Sequence, residues 1–170
     1  MVAQVRQIAL PPDARALGTL ARIDYEDAFL VDADVDGTPE HWARAVLEGA
    51  PPDVRRSLRR GWRALGLKLG SPRSGRRVLG WEIRRSTQDF VLLAAGSRIG
   101  MPGELLFKRE PHGLLFATFV QQRNPVARAV WTRIAVKHQR VVRSLLTQAA
   151  RRDGLRSGKK GGGNGAAGEQ

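Results

Sequence analysis

NPVARAVWTRIAVKHQRVVRSLLTQAARR, residues 124–152, is the stretch on which the fold turns. Asn124 followed by Pro125 is a helix start with a mechanism: the Asn side chain can cap free N–H groups, and proline at the first helical position has no donor to leave unpaired. At 100° per residue, Ala127, Val130, Trp131, Ile134, Val141, Val142, Leu145 and Ala149 fall within a sector of about 120°. Arg133, Lys137, Arg140, Arg143 and Arg151 lie outside it. A long helix with one apolar stripe has to bury that stripe against another element. His138 is the one polar residue centred in the stripe.

The preceding residues supply the surface it needs. From 78 to 123 the period changes to four runs, VLGWEIRRST, DFVLLAAGSR, GELLFKRE and GLLFATFVQQR, separated by Gln88, by IGMP and by a proline-containing PH step. Separators this short predict hairpins and an antiparallel meander. FVLLAA and LLFATFV are apolar on both parities, which predicts a sheet covered on both sides or curled around something. Further back, residues 23–31 alternate so that Ile23, Tyr25, Asp27, Phe29 and Val31 share a face, the pattern of a strand. Thr38 and Pro39 cap a helix running to about Glu48. Pro51 and Pro52 restart the chain into a second helix, with Val54, Leu58, Trp62 and Leu65 on one face and Arg55, Arg56, Arg59, Arg60 and Arg63 on another. Strand, two helices, meander and long helix is an α+β order. A twisted antiparallel sheet can wrap the last helix and leave an apolar cavity between them.

Residues 1–20, with Pro11 and Pro12, read as an irregular lead-in that covers an edge, 21–152 as one domain, and 153–170 as a disordered Gly/Lys-rich tail with little to bury. The chain has 170 residues, 42% of them apolar, enough for one core without staples. It has no cysteine, which excludes disulfide scaffolds, thiol nucleophiles and iron–sulfur clusters and leaves the redox compartment open. His41, His112 and His138 lack the spacing of a metal-binding helix face, so neither metal nor cofactor is expected. No signal peptide and no apolar run of about 18 residues is visible, which predicts a soluble, cytoplasmic protein without membrane insertion.

The net charge of +13 is unevenly placed: residues 1–50 hold nine acidic against four basic residues, and residues 51–170 hold 25 basic against seven acidic. Arg55, Arg56, Arg59 and Arg60 form a candidate phosphate-binding surface, or an ordinary solvated face. Aromatic residues are only 6% of the chain and sit at apolar positions, so weak, non-specific nucleic-acid binding is the most this charge predicts, carried by that face and by Lys159 and Lys160. A homodimer stays open.

The order of elements, together with DYEDAFLVD, TPEHWARAVLEGAP, VLGWEIRRS, GMPGELLF and TFVQQRNPVARAVWTRIAVKHQRVVRSLL, resembles a bacterial branch, itself of unknown function, of the polyketide-cyclase/START-like (SRPBCC) superfamily. The likeness spans about residues 20–150 and is most specific in NPVARAVW…H…VVRSLL. It implies a helix-grip fold, a curved sheet around the C-terminal helix enclosing a pocket for a small, largely apolar molecule. The superfamily pattern has six strands after the helices, where four are clear here.

No glycine-rich phosphate loop and no Gly-x-Ser-x-Gly elbow is present, and GMPG at 100–103 reads as a tight turn. The candidate ligand-contacting residues are therefore apolar: Trp81, Ile83, Leu105, Phe107, Trp131 and Ile134, with His138 among them. Trp81, Ile83 and Arg85 share one parity, Glu82 and Arg84 the other, and the apolar set is expected inside with Arg85 at the rim. Asp24, Glu26 and Asp27 could balance such an arginine. His138 can polarise a carbonyl or move a proton, or it can be a core histidine bonded to a strand residue. Binding of a small apolar ligand is the function expected, with a cyclase- or dehydratase-like reaction at His138 and a nucleic-acid binder as alternatives.

Overall fold

The computed structural model describes residues 3–34 and 36–160. Its elements run β1 (Gln4–Ile8), α1 (Pro12–Arg15), β2 (Tyr25–Asp32), α2 (Pro39–Leu47), α3 (Pro52–Ala64), β3 (Leu67–Lys68), β4 (Arg77–Val78), β5 (Trp81–Ser86), β6 (Phe90–Ser97), β7 (Gly103–Glu110), β8 (Gly113–Val120) and α4 (Pro125–Lys160). The fold is α+β. All strand pairs are antiparallel, in the order β1-β2-β8-β7-β6-β5-β4, with β3 pairing the end of β6.

Both faces of this sheet are covered, which explains the doubly apolar runs. One face carries Phe29, Val31, Leu93, Phe107 and Phe116, packed against Trp42 and Val46 of α2 and Val142, Leu146 and Ala149 of α4. We call it the inner face. The other carries Ala28, Leu92, Leu106, Leu115 and Phe119, packed against Ile8, Leu10, Ala14, Leu17, Leu20 and Ile23. The segment before β2 is thus no irregular lead-in. It forms an edge strand and a short helix, and its apolar side chains are the outer core. Glu104, fully buried on this face, fastens it further by accepting hydrogen bonds from the Thr19 amide (3.0 Å) and hydroxyl (2.5 Å).

Helix starts follow the capping logic. The Thr38 hydroxyl accepts from the His41 amide, and Asn124 Oδ1 accepts from the Ala127 amide at 2.8 Å. The last helix continues past Arg152 to Lys160, so the tail expected from 153 onward starts in helix. Residues 161–170 lie outside the described residues. Among the described residues no helix is long and apolar enough to cross a membrane.

Six strands, not four, follow α3. The run from Val78 is broken by a two-residue turn, Leu79–Gly80, with φ of 47° and 96°, and Val78 pairs with Trp81 across it. Two successive positive φ angles are the geometry of a tight primed hairpin. Leu79 holds this costly conformation because its side chain is buried in the inner core. A register shift between Ile83 and Arg85 then reverses the side of the strand. Arg85 therefore pairs with Leu92 of the outer face and lies over the Phe90 ring at 5.1 Å, instead of standing at an inner rim. Before the bulge the parity holds: Trp81 and Ile83 face inward, and Arg84 on the outer side donates to the Thr19 hydroxyl.

Candidate ligand-binding cavity

The stripe of α4 is buried in two places. Its C-terminal part enters the inner core, while Ala127 and Trp131 form a separate cluster with Met101 and Val120. Between these two contacts the side chains leave a cavity of about 590 Å³, within the range of roughly 300–1,000 Å³ common for small-molecule sites. Its floor is the inner face of the sheet, through Trp81, Leu105, Phe116 and Thr118. Its walls are Trp131, Ile134, His138, Val141 and Leu145 of α4, and Leu58 and Trp62 of α3.

α3 explains why space remains. Its sequence is strongly amphipathic, yet none of its residues is buried. Val54, Leu58 and Trp62 are only half-buried against the core, with Trp62 edge-on to Trp81 at 5.5 Å between ring centroids. An apolar helix face that roofs a cavity has given up part of the burial its sequence could supply. The helix is tied at its ends by Pro51–Pro52 and by Gly66, whose φ of 79° suits glycine.

Of the residues expected to meet a ligand, Trp81, Leu105, Trp131, Ile134 and His138 do line the cavity. Phe107 and Ile83 do not. Phe107 is fully buried, edge-on to Phe116, and Ile83 packs against the same inner core. Arg60 lines the cavity, whereas Arg55 donates to the Glu48 carbonyl at 3.3 Å and Arg56 stays on the surface. Burial and neighbouring Arg63 push the Arg59 guanidinium down from its ordinary pKa.

His138 stands in a polar group that sequence reasoning assembled only in part. Its Nε2 lies 3.0 Å from Thr118 Oγ1 and 3.2 Å from Asp27 Oδ2. Asp27 and Thr118 are register partners on β2 and β8, so antiparallel pairing places both under the helix. The Asp27 side chain is completely buried, and its Oδ1 has no hydrogen-bond partner among the described residues. Oδ2 also accepts from the Tyr25 hydroxyl at 2.7 Å, and that hydroxyl accepts from Gln139 Nε2 at 2.9 Å. Burial pushes the Tyr25 phenol well above its usual range, which keeps it a donor to Asp27.

These contacts select a tautomer. A bare Nε2 lone pair facing a carboxylate oxygen would be repelled, so the arrangement favours the tautomer with its proton on Nε2, within reach of Thr118 Oγ1 and the Asp27 carboxylate. Nδ1 is then the lone-pair nitrogen in the neutral ring, and it has no protein partner among the described residues. Trp131 flanks the imidazole at 5.2 Å and Tyr25 at 4.7 Å from Trp131, fixing the ring's orientation. An imidazole held by a buried carboxylate, on the wall of an apolar cavity, can accept a hydrogen bond from a ligand or exchange a proton with it. The alternation of β2 put Asp27 on the inner parity, but nothing in sequence linked it to a histidine more than a hundred residues away. Among the described residues no group of three His, Asp or Glu side chains gathers in a way that could hold a metal ion.

The chain matches no protein-family model, and neither a curated protein nor a solved structure matches it.

Proposed function

We propose that this protein binds a small, largely apolar molecule in the cavity between the sheet, α3 and α4, and that its fold is the helix-grip of the polyketide-cyclase/START-like superfamily. The element order supports the fold: one long strand, two helices, six further strands and a long final helix against the inner face, with β1 added outside β2. The observation that carries the function is the cavity, roofed by a helix that buries none of its residues. A protein with no use for that space would gain by closing it, since each lost packing contact weakens the core. Weak, salt-sensitive nucleic-acid association through Arg55, Arg56, Arg59 and Arg60, a homodimer and a cytoplasmic setting accompany this reading as proposals.

The test is titration with Nile red, a neutral apolar fluorophore, against the native protein and Leu105→Trp. Leu105 is on the cavity floor, so the larger ring fills space that a ligand would take. Saturable binding lost in the variant supports the reading. Binding that is absent, or unaffected by the substitution, contradicts it.

A second reading, a reaction chamber, is favoured by the Asp27–His138 contact. His138→Ala and His138→Gln separate the two. Ligand binding survives at least one change, whereas any turnover falls by on the order of a hundredfold or more.

A further inference from the structure

The cavity is apolar inside, but its opening is not. The lining residues that are themselves exposed are Ser57, Arg60, Gly61 and Ala64 of α3 and Lys137 of α4. They place the mouth along the seam between these two helices, which hardly touch one another. Gly61 marks the open space, since a Cβ built there would meet nothing within 4 Å. The two long side chains at this mouth are both cations. Neither Arg60 nor Lys137 makes an ion pair or hydrogen bond among the described residues. Asp53, the acidic residue on α3, makes no ion pair with Arg60 either. Further in, the fixed negative charge is Asp27, already committed to His138 and Tyr25. An anionic head is thus opposed at the polar end of the cavity and attracted at its rim.

We propose that the ligand is an amphiphilic carboxylic acid, its apolar body in the cavity and its carboxylate between Arg60 and Lys137 at the mouth. The proposal rests on the cavity-binding reading above and adds the ligand's charge and orientation. The apolar body meets Trp62, Trp81 and Leu145, and the guanidinium and ammonium groups meet the carboxylate while still wet. Two such exposed ion pairs are together worth about tenfold in affinity at low ionic strength, and salt screens them.

The experiment is isothermal titration of the full chain with dodecanoate and with dodecanol, which share a chain and differ in head charge. The native protein binds dodecanoate about tenfold more tightly at low salt, and the preference shrinks as salt is raised. In the double variant Arg60→Gln, Lys137→Gln the preference disappears while dodecanol affinity is retained. Gly61→Glu, a helical position with room for the new side chain, weakens dodecanoate alone. Equal binding of the two by the native protein, or a preference that survives these substitutions, overturns the ligand-charge proposal and leaves the cavity reading standing. Failure of both ligands to bind overturns both.

Discussion

If the Asp27–His138 contact organises the polar end of the cavity, their substitutions must be strongly non-additive. Asp27 is wholly buried and keeps only Oδ2 paired, to His138 at 3.2 Å and Tyr25 at 2.7 Å. His138→Ala leaves that carboxylate with the phenol alone. Leaving a buried carboxylate without one of its donors costs about 1–3 kcal/mol, and more where the acceptor is charged. His138 lines the cavity and is 19% exposed, so water can reach the vacated position, and we take about 2–3 kcal/mol. Asp27→Asn removes the charge yet keeps an acceptor for Tyr25, at about 1–2 kcal/mol. In the double variant no buried charge is stranded, so its destabilisation falls short of the sum by about 1.5 kcal/mol. Urea unfolding followed by far-ultraviolet circular dichroism measures all four corners of the cycle. Additivity within about 0.5 kcal/mol would refute the coupling and leave His138 a wall residue like its neighbours.

Three further outcomes follow from the same geometry. Tyr25 is the chain's single tyrosine, so its absorbance titration is unambiguous: the phenol stays protonated through its ordinary range and ionises only at higher pH. Because its folded pKa is raised, the stability it contributes is complete below the unfolded pKa of about 10 and is lost as pH rises from there toward the folded value. Tyr25→Phe abolishes that alkaline loss, read from unfolding midpoints on either side of pH ~10. In hydrogen exchange, α3 amides exchange much faster than those of β6, β7 and β8, and saturating apolar ligand slows α3 selectively; equal protection without ligand would contradict its role as a roof. Phe119→Ala, at a fully buried position on the outer face, destabilises by about 3–5 kcal/mol and opens residues 8–23 to proteolysis; a loss below about 1 kcal/mol would mean that segment is a loose cover.

The α4 stripe, the two capped helices and the four long meander strands were legible because each rests on a local rule, periodicity or capping, that sequence displays directly. The outer cover was not. Leu10, Leu17 and Leu20 show no period, since an irregular segment docks its side chains wherever the sheet offers room. The Leu79–Gly80 turn was hidden because a core leucine occupies a position where turns usually place glycine or asparagine, so VLGWEIRRS reads as one strand. Arg85 was misplaced for a related reason: a bulge inverts parity without a marker in the residue types. At the site, His138 stood out as a polar residue in an apolar stripe. Asp27 and Thr118 did not, since their meeting is a matter of strand register, set by pairing across ninety residues of chain.

Native mass spectrometry of the protein purified from its own host tests the central claim most directly. The account predicts a population heavier than the bare chain by the mass of one small organic molecule, released on denaturation and reduced or absent in Leu105→Trp. The bare mass alone, from gentle preparations of native protein that also fail to bind Nile red, would contradict it.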